Sequence, residues 1–217
     1  LPFDYTTSGS SGSATITNRG IRDEVIFSDI LDTDTYDQIY GQFRLNAGTS
    51  DFIVGFLSFA EDKLVVFNRN SIHLISGTSD PTTATSQLIT GEVGCVARKT
   101  ITKIGDNIMF LSDNGLYSLS FQDLYNLRGD DLPVSTDIES TINRINKAYA
   151  SNALGVYFEN IYYLAVPLDD ATVNSSIIIY NFLNQKWESI DSVNDSNWEA
   201  HNLIIAGNDA DRGVYVV

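Results

Sequence analysis

Residues 108–121, IMFLSDNGLYSLSF, confine the fold of this chain more narrowly than any other stretch. Two apolar runs flank an Asn-Gly pair, the strongest short-range signal for a β-hairpin. A two-residue loop at Asn114 and Gly115 sets Asp113 opposite Leu116, Ser112 opposite Tyr117, Phe110 opposite Leu119 and Ile108 opposite Phe121. One face then carries Ile108, Phe110, Tyr117, Leu119 and Phe121, while the other still holds Met109, Leu111 and Leu116. A sheet wetted on its back would alternate apolar with polar residues. Two apolar faces predict a sheet packed against neighbours on both sides.

The same outline recurs along the chain. DKLVVFNRNSIHLISG holds two short strands around Asn68 to Asn70, ENIYYLAVPLDDATVNSSIIIYNF two strands with a longer loop, and NLIIAGNDADRGVYVV a final pair. The hairpin centres fall irregularly, roughly 40 to 56 residues apart, a spacing suited to propeller blades of four strands whose radial stacking buries both faces. The predicted fold is therefore mainly β, with β-propeller-like antiparallel blades over residues 51–217 forming a partial propeller domain. Residues 1–50, which include the Thr, Ser and Gly rich TTSGSSGSATITNRG, read as an irregular or additional β segment, most simply a loop or weak edge. One stretch, STDIESTINRINKAYASN, departs from the pattern. Thr136 and Glu139 have capping-box spacing, and Ile138, Ile142, Ile145 and Tyr149 form one stripe, which predicts a short amphipathic helix begun after Leu132-Pro133.

Charge narrows the function classes. The 217 residues, 43% apolar, can bury a sizeable core, but 28 Asp and Glu stand against 13 Lys and Arg for a net charge of −15. Such a surface disfavours a generic grip on phosphate backbones and suits a conduit past which a polyanion slides. The single cysteine, Cys95, can form neither an internal disulfide nor a cysteine-pair zinc site, and reads as a buried packing residue. No run approaches the length that spans a bilayer, so no membrane insertion by this segment is expected. The opening LPFDYTT lacks a methionine and a signal-type pattern, and is expected to belong to a longer or processed polypeptide.

Catalytic signatures are missing. His73 lies in the strand SIHLIS and His201 beside WEAHNL, neither in a metal-binding spacing, and no G-x-S-x-G, Walker or dinucleotide loop occurs. The chain is expected not to be an enzyme and to need no cofactor. SDILDTDTYD groups Asp29, Asp32, Asp34 and Asp37, and NDADRG places Asp209 and Asp211 before Gly213 as an incomplete likeness to a calcium loop. Acidic residues also solvate turns and guard strand edges, which is the plainer reading at both places. Carboxylates from different blades could pair for glycoside hydrolysis without leaving a local trace.

Taken in order, EDKLVVFNRNSIHLISG, GEVGCVARKTITKIGDNIMFLSDNGLYSLS, GDDLPVSTDIESTINRIN, ENIYYLAVPLDD and IIIYNFLNQKWESID resemble the β-propeller part of tail nozzle proteins of short-tailed bacteriophages, including the tail tubular protein B type and related stabilisation proteins. The resemblance runs over about residues 55 to 217 and implies a structural virion protein of the tail. Copies would form a homo-oligomeric ring, join an adaptor or other virion proteins, and enclose a passage for DNA without reading its sequence. On this resemblance Gly94 and Cys95 lead into a blade strand, Asp113, Asn114 and Gly115 form a blade turn, and STDIESTI is the helix between blades. Asp32, Asp34, Asp37, Asp169 and Asp170 become candidates for an acidic lumen. A smaller likeness keeps an alternative open: Tyr180 and Trp187, seven residues apart, are similar to the packing pair of kelch blades, although the glycine doublet is missing and Trp198 has no matching partner. That alternative is a non-enzymatic protein- or glycan-binding propeller, or, further off, a propeller glycosidase.

Overall fold

The structure, a computed structural model, describes residues 4–8, 13–17, 22–28, 32, 34, 42–80, 82–123, 126–129, 132–192, 199–208 and 211–217. The chain forms two compact units, Leu1–Gly94 and Cys95–Val217.

In the first unit, β1 (Asp4–Ser8) pairs antiparallel with β2 (Ser13–Thr17), so the opening read as a loop or weak edge contributes a two-stranded hairpin. A second pair joins β3 (Glu24–Ile26) to β4 (Gln42–Arg44). The strands β5 (Ile53–Ala60), β6 (Lys63–Asn68), β7 (Ile72–Ser76) and β8 (Thr85–Thr90) then form a four-stranded antiparallel meander in sequence order. Leu45, Val66 and Ile75 make a buried cluster against which Val25, Phe27, Phe43 and Ile53 pack. Strands of three residues cannot bury a face by themselves. Residues on both sides of position 50 therefore share one core, and the compact units part at Gly94 and Cys95 instead.

The second unit contains β9 (Thr102–Ile104), β10 (Asn107–Ser112), β11 (Gly115–Asp123) and β12 (Asn126–Gly129) as one antiparallel meander. A second meander follows in β13 (Leu154–Phe158), β14 (Ile161–Val166), β15 (Ser176–Asn181) and β16 (Lys186–Ser192). The hairpin of β17 (Leu203–Ala206) and β18 (Gly213–Val216) ends the chain. Strand alternation explains how these sheets stack. Met109, Leu111 and Leu116 from one sheet meet Tyr162, Leu164, Val166, Ile178 and Tyr180 from the next in a single buried cluster. The opposite face of β13–β16, with Leu154, Ala165 and Ile177, packs with Leu203 and Val214 of the terminal hairpin. Each fully buried aliphatic side chain stabilises such a stack by roughly 1.5–3 kcal/mol relative to exposure.

The hairpin at 108–121 forms with a different register. Ser112 pairs with Gly115, Phe110 with Tyr117 and Ile108 with Leu119, so the two turn residues are Asp113 and Asn114. The sum of paired residue numbers differs by two from the expected one, and because side chains alternate with period two, every residue keeps its face. Ile108, Phe110, Tyr117 and Leu119 are buried on one side, Met109, Leu111 and Leu116 on the other. The positive φ falls on Gly115 alone, at 143°, so the turn is not type I′. That geometry appears at Glu159 and Asn160, with φ of 48° and 67°, between β13 and β14.

The expected helix is shorter than its pattern. A 3-10 turn at Thr136–Ile138 runs into α1 (Glu139–Ile142), and neither N-terminus has a side-chain cap. The Thr136 and Glu139 capping box does not form, because Thr136 already lies within the 3-10 turn and its hydroxyl donates to the Pro133 carbonyl at 2.6 Å. Beyond Ile142 the backbone is drawn to another partner: Arg144 O accepts from Asp169 N at 2.7 Å, and Asn146 N donates to Pro167 O at 2.9 Å. Ile145 bridges Leu168. The stripe is accordingly broken, with Ile142 and Ile145 buried and Tyr149 41% exposed.

Candidate functional site

A buried polar cluster lies in the first unit, where the β6–β7 turn meets the loop before β5. Asp51, Ser71 and His73 are all buried. They resemble the ingredients of a nucleophilic triad, but their order is wrong for one. The Ser71 hydroxyl donates to Asp51 Oδ2 at 2.6 Å and accepts from Asn46 Nδ2 at 2.6 Å and Asn68 Nδ2 at 3.1 Å. One proton and two lone pairs are thereby engaged. His73 Nε2, at 3.3 Å, finds no proton on Ser71 left to take. Asp51 also accepts from the backbone of Phe52 at 3.0 Å and Asn70 at 2.9 Å. Burial raises its carboxyl pKa, but the hydrogen bonds from Ser71, Asn70, Asn46 and Phe52 outweigh it and hold the group below its ordinary value. His73 is pushed down by burial against the opposing pull of Asp51. The cluster is a clamp on two loops.

The residues singled out in the sequence scatter over the molecule. Asp32 and Asp34 are exposed, with Asp34 N donating to Asp32 Oδ1 at 3.0 Å as in an Asx turn. Asp37 and Asp209 lie outside the described residues, as does Trp198. Asp170 is exposed, whereas Asp169 makes a two-pronged pair with Arg144 at 2.9 and 2.7 Å that holds its carboxyl below the ordinary value. Cys95 is fully buried, its thiol 3.3 Å from Ala97 O. Gly94 and Cys95 do not run straight into a strand, since a 3-10 turn at Arg98–Thr100 intervenes before β9. The rings of Tyr180 and Trp187 lie 4.9 Å apart across β15 and β16, and Trp187 Nε1 donates to Val134 O at 3.2 Å. Trp187 thus fastens β13–β16 to the segment that follows β12. Among the described residues no group of three or more His, Cys, Asp or Glu is placed to hold a metal ion.

One pocket, of about 430 Å³, escaped the sequence reading. It lies within the second unit, between Arg98 and Lys99, the 3-10 turn Ala150–Asn152, the β14–β15 loop and the segment leading into β17, with Val173 and Ala200 among its walls. Asn174 Nδ2 ties two of these segments together by donating to Asn152 O at 2.8 Å and Ala200 O at 2.9 Å. The available signal was Arg98-Lys99 itself, the one adjacent pair of Lys or Arg in an acidic chain.

A family model described as bacteriophage P22 Gp10, beta-propeller, matches residues 16–210. The match begins well ahead of residue 55, where the resemblance in the sequence starts, and takes in both compact units. No curated protein matches the chain.

Proposed function

The chain belongs to the phage stabilisation family of bacteriophage P22 Gp10, and from that premise we propose that this structural protein of the virion tail serves as a nozzle component, copies of it forming a ring around the passage by which the genome leaves. The observation that carries the reading is the match over residues 16–210, falling on a chain whose four-stranded sheets follow one another as meanders, with β13–β16 packed on both faces. A scaffold needs this kind of packing; it needs no activated nucleophile. The protein's partners within the virion would be further copies and an adaptor, with DNA passing unread. Asp32, Asp34 and Asp170, all exposed, are candidates for a repelling lumen wall, as is Asp37, whereas the Asp169 charge is largely offset by Arg144.

Electron microscopy of the parent particle and of the native full-length protein tests the reading. Rings around a central passage at the tip of a short tail are expected, and a monomeric disc would defeat it. The non-enzymatic part is tested separately, by incubating the protein with glycans and phosphodiesters with and without calcium. Turnover abolished by a single Asp→Asn change would overturn that part alone.

A further inference from the structure

In the second unit the segments leading into the first strands of three successive sheets meet at one place. Residues 95–101 precede β9, residues 143–153 precede β13, and residues 199–202 precede β17. The first strands are themselves neighbours: β13 lies beside both β9 and β17, and Thr102 Oγ1 donates to Gly155 O at 3.3 Å. The pocket of about 430 Å³ is walled by all three lead-in segments, through Arg98, Lys99, Ser151, Asn152 and His201, and by Asn174 of the β14–β15 loop.

We propose that this pocket binds an acidic peptide segment of another protein, its carboxylate held by Arg98 and Lys99. Both cations are exposed, and no carboxylate lines the pocket. The neighbouring Glu199 is directed to His201 Nε2 at 3.1 Å. Arg98 offers a planar fork that matches a carboxylate, and Lys99 adds a compact charge beside it. Asn174, only 3% exposed, fixes the shape of the pocket, because both of its N–H groups are committed to backbone carbonyls of two walls, Asn152 O and Ala200 O. The volume also falls within the ~300–1,000 Å³ usual for ligand pockets, which suits a side chain with flanking backbone better than a polymer track. A long nucleic acid would meet the repulsion of a chain with net charge −15, whereas a short acidic segment is governed by the cations it touches.

The experiment uses the full chain and three fluorescent probes: an acetylated, amidated peptide of alternating Asp and Gly, its Asn counterpart, and an oligothymidylate of similar length. Saturable binding of the Asp peptide is expected, weakened at least tenfold by Arg98→Gln with Lys99→Gln and progressively by salt, with the far-ultraviolet spectrum and thermal midpoint unchanged. Ser151→Glu, which adds a negative charge to the pocket lining, is expected to weaken binding similarly and decides the matter if the double variant fails to fold. Absence of Asp-peptide binding, equal binding of the Asn peptide, indifference to the variants, or tighter binding of the oligothymidylate would each overturn the proposal. Peptide capture is read on the protein whether or not copies assemble, so its failure leaves the ring reading standing, and the reverse holds.

Discussion

Gly115 occupies a point where backbone conformation and packing both exclude a side chain. Its φ is 143°, and a Cβ built there would collide with Ser135 Oγ and come within 3.0 Å of Pro133 Cβ. Ser135 cannot simply turn away, because its hydroxyl oxygen accepts the Leu116 N–H at 3.0 Å. Gly115→Val is therefore expected to cost more than about 2 kcal/mol in urea unfolding, while Gly213→Ala, with open space around it, stays within about 0.5 kcal/mol. A loss at Gly115 no larger than that of the control would mean the 133–135 segment yields freely. Glu159 presents the opposite case. A glutamate at φ 48° bears the steric penalty of the left-handed region, which asparagine relieves through its short polar side chain. Glu159→Asn should stabilise the chain by on the order of 0.5–1 kcal/mol, checked by the midpoint of thermal unfolding; an unchanged or lower midpoint would contradict the strain argument.

At the scale of elements, the clamp around Ser71 couples the β6–β7 turn to pH. Asp51 is held below its ordinary 3.8, so the unfolded chain binds its proton more tightly, and the stability it contributes is complete above that value and lost as pH falls through the folded one. His73 is likewise lowered from 6.5, so its contribution is complete above 6.5 and declines as acidification charges the unfolded histidine first. Stability should fall in two steps, one beginning below about pH 6.5 and a second below about pH 4. His73→Gln should flatten the upper step and leave the lower; an upper step of undiminished size in that variant would exclude His73 as its source. The helix illustrates how far local pattern reaches. Ile138, Ile142, Ile145 and Tyr149 have helical spacing, yet the Asp169 and Pro167 backbone groups capture Arg144 and Asn146, and α1 stops at Ile142. Periodicity records what a segment can do alone, and it contains nothing of a competing loop some twenty residues away.

For the whole molecule, the net charge of −15 works against any assembly of identical copies. If copies form a ring, their mutual repulsion is strongest at low ionic strength and fades over a Debye length of roughly 8 Å at physiological salt. Sedimentation of the full-length protein should accordingly show association strengthening as salt rises from a few tens of millimolar toward the physiological range. Association that weakens over that range would mean that ion pairs between copies outweigh their net repulsion.

The two apolar faces of residues 108–121 were legible in the sequence, and with them the stacked antiparallel sheets, because strand alternation is written in consecutive residues and survives a shift of two in register. The order of the hairpins carried the family resemblance in the same local way. What the tertiary structure alone decided depends on residues far apart in the chain. Ser135 and Pro133 pack where a Gly115 side chain would stand, Trp187 reaches Val134, and Ser71 joins Asn46 and Asp51. The pocket is the clearest instance: Arg98, Ser151, Asn174 and His201 become neighbours only when the first strands of three sheets are set side by side, an arrangement enforced by the apolar faces between the sheets and carried by no single stretch of sequence.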